Sequence, residues 1–175
     1  MAEMEFQIER ATEADYLIFA DIIQTVWRLM DEKDWYIADN SDYTYHMLSS
    51  GEGLGYKAVE TQTGKVAGVF LAVIPGLSEE NMGRDAGLAE EELVKVAHMD
   101  TAAVLPEYRG NHLQYRLMQA AEADLRARGF RYLIGTVHPD NVYSMNNGLT
   151  QDYKVIGEKM KHGGKRRAIL LKELT

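Results

Sequence analysis

Two stretches of the chain carry residue types with an evident chemical use. In the first, "VLPEYRGNHLQYRLM" at residues 104–118, an apolar run turns through Pro106 and Gly110 into a helical pattern, with Arg109 at the corner. A strand that turns into a helix leaves the first helical N–H groups without intrahelical partners, and the helix dipole adds partial positive charge there. Such a corner is suited to an anion. Gly110 lets a ligand approach the backbone closely, and Arg109 and Arg116 could add charge against a phosphate. The same turn also occurs with no ligand. In the second stretch, His98 and Asp100 interrupt an apolar run from Val94 to Leu105. Two residues apart in a strand, they project to one face, and unpartnered burial of an imidazole or a carboxylate is costly. Together they could move a proton. Equally, His98 could hydrogen-bond inside the core while Asp100 bonds a backbone N–H or a tyrosine hydroxyl.

Several elements must position these groups. Residues 4–9 alternate as a half-buried strand, and Thr12 with Asp15 forms a capping-box pattern ahead of a helix predicted over residues 13–30. A weaker helix is expected from Tyr43 to Ser50, broken by Gly51, Gly53 and Gly55. Tyr56 to Glu60 and Lys65 to Ile74 flank "TQTG" as a hairpin. Residues 75–92 then form a polar, acid-rich insertion, either functional or simply solvated. Val94 to Leu105 reads as a central strand buried on both faces. Leu113, Leu117, Ala120, Ala121 and Leu125 mark a helix that stops at Gly129. Tyr132 to Val137 reads as a strand and Asn141 to about Leu149 as a helix, before a terminal hairpin of Tyr153 to Lys161 and Arg166 to Leu174 across "HGG". The order predicts an α+β fold with a mixed central sheet. One domain over residues 1–175 is expected, since no linker or repeat divides the chain.

Composition narrows the function classes. With 27 acidic and 19 basic residues the net charge is −8, which disfavours nucleic acid and membrane surfaces as partners. Zero cysteines exclude thiol nucleophiles and thiolate metal sites, and the five histidines lack ligand spacing, so no metal is expected. The N-terminus has no signal-peptide order and no apolar run reaches a membrane span, which points to the cytoplasm.

Val104, Pro106, Tyr108, Arg109 and Gly110 together resemble the V-x-P-x-Y-R-G signature of the GNAT superfamily, the acyl-coenzyme A-dependent N-acyltransferases. Downstream, "VHPDNVYS" resembles the strand end and helix start at which that family places an asparagine near the coenzyme A arm. The resemblance in element order covers essentially the whole chain, with specific motif matches in residues 94–153. It implies a sheet of about seven strands flanked by helices on both faces, and acetyl-coenzyme A as acyl donor. It also implies that backbone groups of Arg109, Gly110, Asn111, His112, Leu113 and Gln114 hold the pyrophosphate and those of Ala102 and Val104 the pantetheine arm, with Asn141 and Ser144 beside that arm. The family loop usually reads R-G-x-G-x-G or R-G-x-G-x-A; here His112 and Gln114 replace both later residues. His112 could contact the phosphate edge or sit in solvent.

Transfer to an amine needs a lone pair on nitrogen, and alkyl amines titrate near about 10, so a proton acceptor is required at neutral pH. Several family members place a base at the positions that His98 and Asp100 occupy, which implies that His98 takes the proton while Asp100 orients it or the amine. Many members carry a tyrosine as proton donor seven residues after the asparagine, where this chain has Gly148. The acceptor usually enters near the first two helices. Trp27, Asp31, Asp34, Trp35, Tyr36 and Asp39 lie there in sequence, and Glu79, Glu80, Glu90, Glu91 and Glu92 could join them. Carboxylates and aromatic faces suit a cationic amine, although a solvated acidic surface with Trp27 in the core fits the same residues. The expected function is direct acetyl transfer to a primary amine of a small molecule or peptide. The alternative is a non-catalytic module that binds or senses acyl-coenzyme A. Family members are often dimers, and the C-terminal hairpin offers an edge for a homodimer.

Overall fold

The alternating N-terminal residues form β1 (Phe6–Arg10), and the capping box is made as expected: the Thr12 N–H donates to Asp15 Oδ2 at 2.8 Å. A single 3-10 turn then opens α1 (Tyr16–Leu29), which buries Phe19, Ala20, Ile22, Ile23 and Val26 at helical spacing. The computed structural model describes residues 3–35, 40–161 and 164–175. Asn40 caps α2 (Ser41–Ser50) by accepting from the Tyr43 N–H at 2.8 Å, and Gly51 ends it with φ of 81°. β2 (Gly53–Glu60) begins three residues earlier than the sequence predicts. Gly53 and Gly55 do not break the chain there; they let a strand pass close to a helix. A Cβ on Gly55 would stand 2.9 Å from both Leu48 and Phe19. β3 (Val66–Val73) completes the hairpin across the predicted turn, closed by Glu60 N–H to the Lys65 carbonyl at 2.9 Å.

The polar insertion holds a 3-10 turn at Met82–Arg84 and a one-turn α3 (Glu90–Leu93). β4 (Val96–Val104) and α4 (Leu113–Ala127) follow, and Gly129 stops α4 with φ of 93°. Then come β5 (Tyr132–Val137), α5 (Val142–Thr150), β6 (Lys154–Lys161) and β7 (Lys165–Glu173). His162 and Gly163 of the predicted "HGG" turn lie outside the described residues. All seven strands form one mixed sheet in the order β1-β2-β3-β4-β5-β7-β6. The pair β4 and β5 is parallel, whereas β7 runs antiparallel to both β5 and β6. Among the described residues no helix is long and apolar enough to cross a membrane.

By contact density the chain gathers into two units. One holds β1, α1, α2, β2, most of β3 and residues 101–123. Its core includes Phe19, Ile23, Leu48, Tyr56, Phe70 and Leu117, and the Phe6 and Tyr108 rings meet edge to face. The other holds residues 73–100, residues 124–175 and the turn Lys33–Trp35, and packs Met82, Val96, Tyr132, Ile134 and Ile169 together.

Asp15 supplies the first unit with a buried charge. Burial pushes its carboxyl pKa up, but the Thr12 N–H and the Lys57 ammonium, 2.9 Å away, outweigh that and hold it below its usual value of 3.8. A depressed folded pKa contributes stability that is present at neutral pH and is lost as pH falls through that folded value. Asp15→Asn should therefore cost about 1.5–3 kcal/mol at pH 7. The deficit should shrink in urea unfolding below pH 3.8, where the wild-type carboxyl also protonates.

Candidate active site

Along one face of β4 the burial changes with position: Val96 and His98 are buried, Asp100 is exposed, and Ala102 and Val104 are half-exposed. On the other face Ala97, Met99, Thr101 and Ala103 are all buried. The strand therefore closes one side completely and opens the other toward its C-terminal end. His98 and Asp100 share the open side, as their spacing predicts, yet they differ in access. His98 Nε2 accepts the Met82 N–H at 3.0 Å, so the neutral ring carries its hydrogen on Nδ1. The nitrogen that would take a proton from an amine is committed to the insertion. The expected division of labour, in which His98 takes the proton and Asp100 orients it or the amine, would require His98 to give up that bond.

The insertion that delivers Met82 is built around Asn81, which is only 1% exposed. Its Nδ2 donates to the Gly76 and Leu93 carbonyls at 2.7 and 3.0 Å, and its Oδ1 accepts the Gly83 N–H at 2.8 Å. Lys159 on β6 clamps Asp85 of the same segment at 2.7 Å. A carboxamide in an acid-rich loop gives no sequence signal for such a hub. Glu79, Glu80, Glu90 and Glu91 are exposed, whereas Glu92 bonds Lys95 at 3.3 Å, and that bond holds its carboxyl below the usual range.

Next to β4, the ladder to β5 has three pairs and ends at His98↔Ile134, while the ladder from β5 to β7 continues through Val137↔Ala168. The two parallel strands part in the middle of the sheet. Gly135 stands where they separate, and a Cβ there would lie 3.1 Å from the Met99 carbonyl oxygen. Thr136, Val137 and His138 follow, each half-exposed. The His138 ring packs on Trp35 with centroids 6.0 Å apart and planes inclined by 31°, and its Nδ1 accepts the Asp140 N–H at 3.1 Å. Asn141 then caps α5: its Oδ1 accepts the Ser144 N–H at 3.2 Å, and its Nδ2 is the side chain's donor group. Ser144 is half-exposed.

At the corner, Pro106–Tyr108 form a 3-10 turn and Arg109 is exposed. Gly110 and His112 both take left-handed backbone, with φ of 86° and 56°. Asn111 folds back to donate from Nδ2 to the Tyr108 carbonyl at 2.9 Å. Leu113 is buried and anchors the start of the 15-residue α4, with Gln114 half-buried beside it. Left-handed residues in a turn are one ingredient of an anion nest, in which successive N–H groups face a bound anion. Arg116 Nη2 donates to the Phe6 carbonyl at 3.1 Å and so ties α4 to β1. The His112 side chain is exposed. A left-handed L-residue costs roughly 1–2 kcal/mol, more when β-branched. His112→Val should therefore lower the urea unfolding free energy by about 1–2 kcal/mol, with His112→Gly within about 1 kcal/mol of wild type.

The model of the acetyltransferase (GNAT) family matches residues 18–146. The chain belongs to the GNAT family. Its fold is that of GNAT structures. It superposes on NAA60 of Arabidopsis thaliana, solved with a bisubstrate analogue, with a TM-score of 0.75 at 12% identity, covering 98% of this chain and 99% of that one. A GCN5-related N-acetyltransferase from Kribbella flavida gives 0.73 at 18% identity, covering 97% and 98%. The yncA protein of Salmonella typhimurium, solved with acetyl-coenzyme A, gives 0.72 at 13% identity, covering 97% and 94%. No curated protein matches the sequence.

Gly148 stands where many GNAT members carry a tyrosine. A Cβ there would lie 2.7 Å from Leu170 Cδ2, so a larger residue at this position requires the Leu170 side chain to shift. Of the expected acceptor residues, Trp27 and Trp35 are half-buried and Asp31 is exposed. Tyr36 and Asp39 lie outside the described residues. Among the described residues no group of three or more His, Asp or Glu side chains could hold a metal ion. His138 is the residue that sequence reasoning missed. It lies inside the stretch read for Asn141 and Ser144, and its signal is an imidazole placed directly after a strand.

Proposed function

We propose that this GNAT protein moves an acetyl group from acetyl-coenzyme A directly to a primary amine of a small molecule or peptide, with residues 1–175 acting as one domain. The observation that carries this reading is the parting of β4 and β5 beyond His98↔Ile134, beside the exposed Asp100. A parallel ladder that stops inside a sheet presents backbone groups with which an amide-bearing arm can pair. Backbone groups of Ala102 and Val104 take the pantetheine amides, and the nest from Arg109 to Gln114 takes the pyrophosphate. Asn141 Nδ2 donates to the arm, with Ser144 one helical turn on. The amine nitrogen forms its bond to the thioester carbonyl carbon, and the C–S bond then breaks to release the thiolate. Asp100 receives the proton that the amine gives up, directly or through water. His98 acts indirectly, holding Met82 and with it the insertion. Zero cysteines and a net charge of −8 fit a reducing, cytoplasmic setting.

A second reading, a module that binds acyl-coenzyme A without turnover, draws on the hydroxyl missing at Gly148. Calorimetric titration with acetyl-coenzyme A, followed by a free-thiol release assay on a panel of amines, separates the two. Binding with amine-dependent release is expected. Tight binding with no release on any amine would favour the sensing module, and failure to bind would sink both.

A further inference from the structure

The His138 ring is held three residues past Gly135, where β5 parts from β4, and the mechanism above does not use it. Its Nδ1 lone pair accepts the Asp140 N–H at 3.1 Å, so in the neutral imidazole the hydrogen is on Nε2. Trp35 packs against the ring with planes inclined by 31°, which restricts its rotation. Both side chains are half-buried and keep part of their surface accessible. The result is a preorganised donor edge beside an aromatic face. It stands one residue past the end of β5, on the stretch that runs on from the point where β5 parts from β4.

Resting on the acyl-transfer reading, we infer that His138 and Trp35 form the acceptor subsite and select amines that carry a carbonyl or carboxylate oxygen on the carbon next to the amine-bearing carbon. An amino acid or a peptide N-terminus has that oxygen. The Nε2–H donates to it, while Trp35 covers the adjoining hydrocarbon or the approaching cation. A plain diamine fits badly, because both of its ends are donors and one would face the Nε2–H with no acceptor between them. Discrimination therefore comes from an unmatched donor as well as from a matched one.

His138→Phe tests this, since phenylalanine keeps a ring on Trp35 but removes the donor. The probes are alanyl-alanine amide and 1,4-diaminobutane, each assayed by thiol release with acetyl-coenzyme A, and alanyl-alanine amide is also titrated calorimetrically into the protein loaded with coenzyme A. Acetyl-coenzyme A affinity of the variant reports that its fold is intact. The wild type should prefer the dipeptide amide, and the variant should lose roughly ten- to hundredfold of that preference, mainly through KM. The dipeptide amide should also bind the loaded variant more weakly by a similar factor. An unchanged preference, or a wild type that favours the diamine, overturns the subsite. If the wild type turns over neither probe, the binding arm still decides: dipeptide binding that weakens in the variant upholds the subsite, with the transferase reading then decided by the wider amine panel, and absent or unaltered binding overturns the subsite.

Discussion

Asp100→Asn should lower kcat for amine acetylation by about 10²–10⁴-fold at neutral pH, with acetyl-coenzyme A affinity unchanged. Asparagine matches the carboxylate in size and can accept a hydrogen bond, but it cannot take up a proton. The side chain is exposed on the open face of β4, so the substitution leaves the buried core unchanged. His98→Gln is the informative companion. Its Oε1 can accept the Met82 N–H that Nε2 now holds at 3.0 Å, so the insertion should stay in place and turnover should remain within about tenfold of wild type. His98→Ala would confound the two roles, because it also leaves a buried N–H without an acceptor. If the Gln variant were as inactive as Asp100→Asn while melting like wild type, the base would be His98. Steady-state kinetics on both variants, with calorimetry for the donor, makes the distinction.

Asn81→Leu is expected to be the most destabilising single change, on the order of 3 kcal/mol. Leucine fills the same space but cannot replace the bonds from Nδ2 to the Gly76 and Leu93 carbonyls or the bond from the Gly83 N–H to Oδ1. Unsatisfied buried groups cost about 1–3 kcal/mol each, and the three are neighbours whose costs do not simply add. Gly83 leaves little room to adapt, since even a Cβ there would meet Leu93 at 2.8 Å and Val96 at 2.9 Å. Urea unfolding should show the loss with the slope unchanged. A change below about 0.5 kcal/mol, the level of an ordinary surface substitution, would mean that the hub does not hold the insertion.

Much of the scaffold could be read from pattern. Alternation gave β1, the helical spacing of Phe19, Ile22, Ile23 and Val26 gave α1, and the strand periodicity placed His98 and Asp100 on one face. What pattern could not supply is the partner that arrives from elsewhere in the chain. Met82, sixteen residues upstream of His98 and bonded to its ring, is invisible to a strand's periodicity. Helical spacing likewise does not show that Arg116 bonds the Phe6 carbonyl, 110 residues away in sequence. Gly53 and Gly55 read as breakers because their role depends on Leu48 and Phe19 passing overhead. His112 hid its left-handed backbone because histidine is not the residue such backbone favours. What pattern did not show therefore concerns long-range partners and backbone conformation.

The bond between Met82 and His98 also makes the protein observable. Most buried amides donate to carbonyl oxygens, but this one donates to an aromatic ring nitrogen. The Met82 amide proton should therefore resonate apart from its sheet neighbours and exchange slowly despite its place in a polar loop. It should respond whenever the imidazole rotates, protonates or is drawn aside. A single backbone resonance would thus report the state of the strand face from which acetyl transfer is proposed to occur, with no label and no ligand attached.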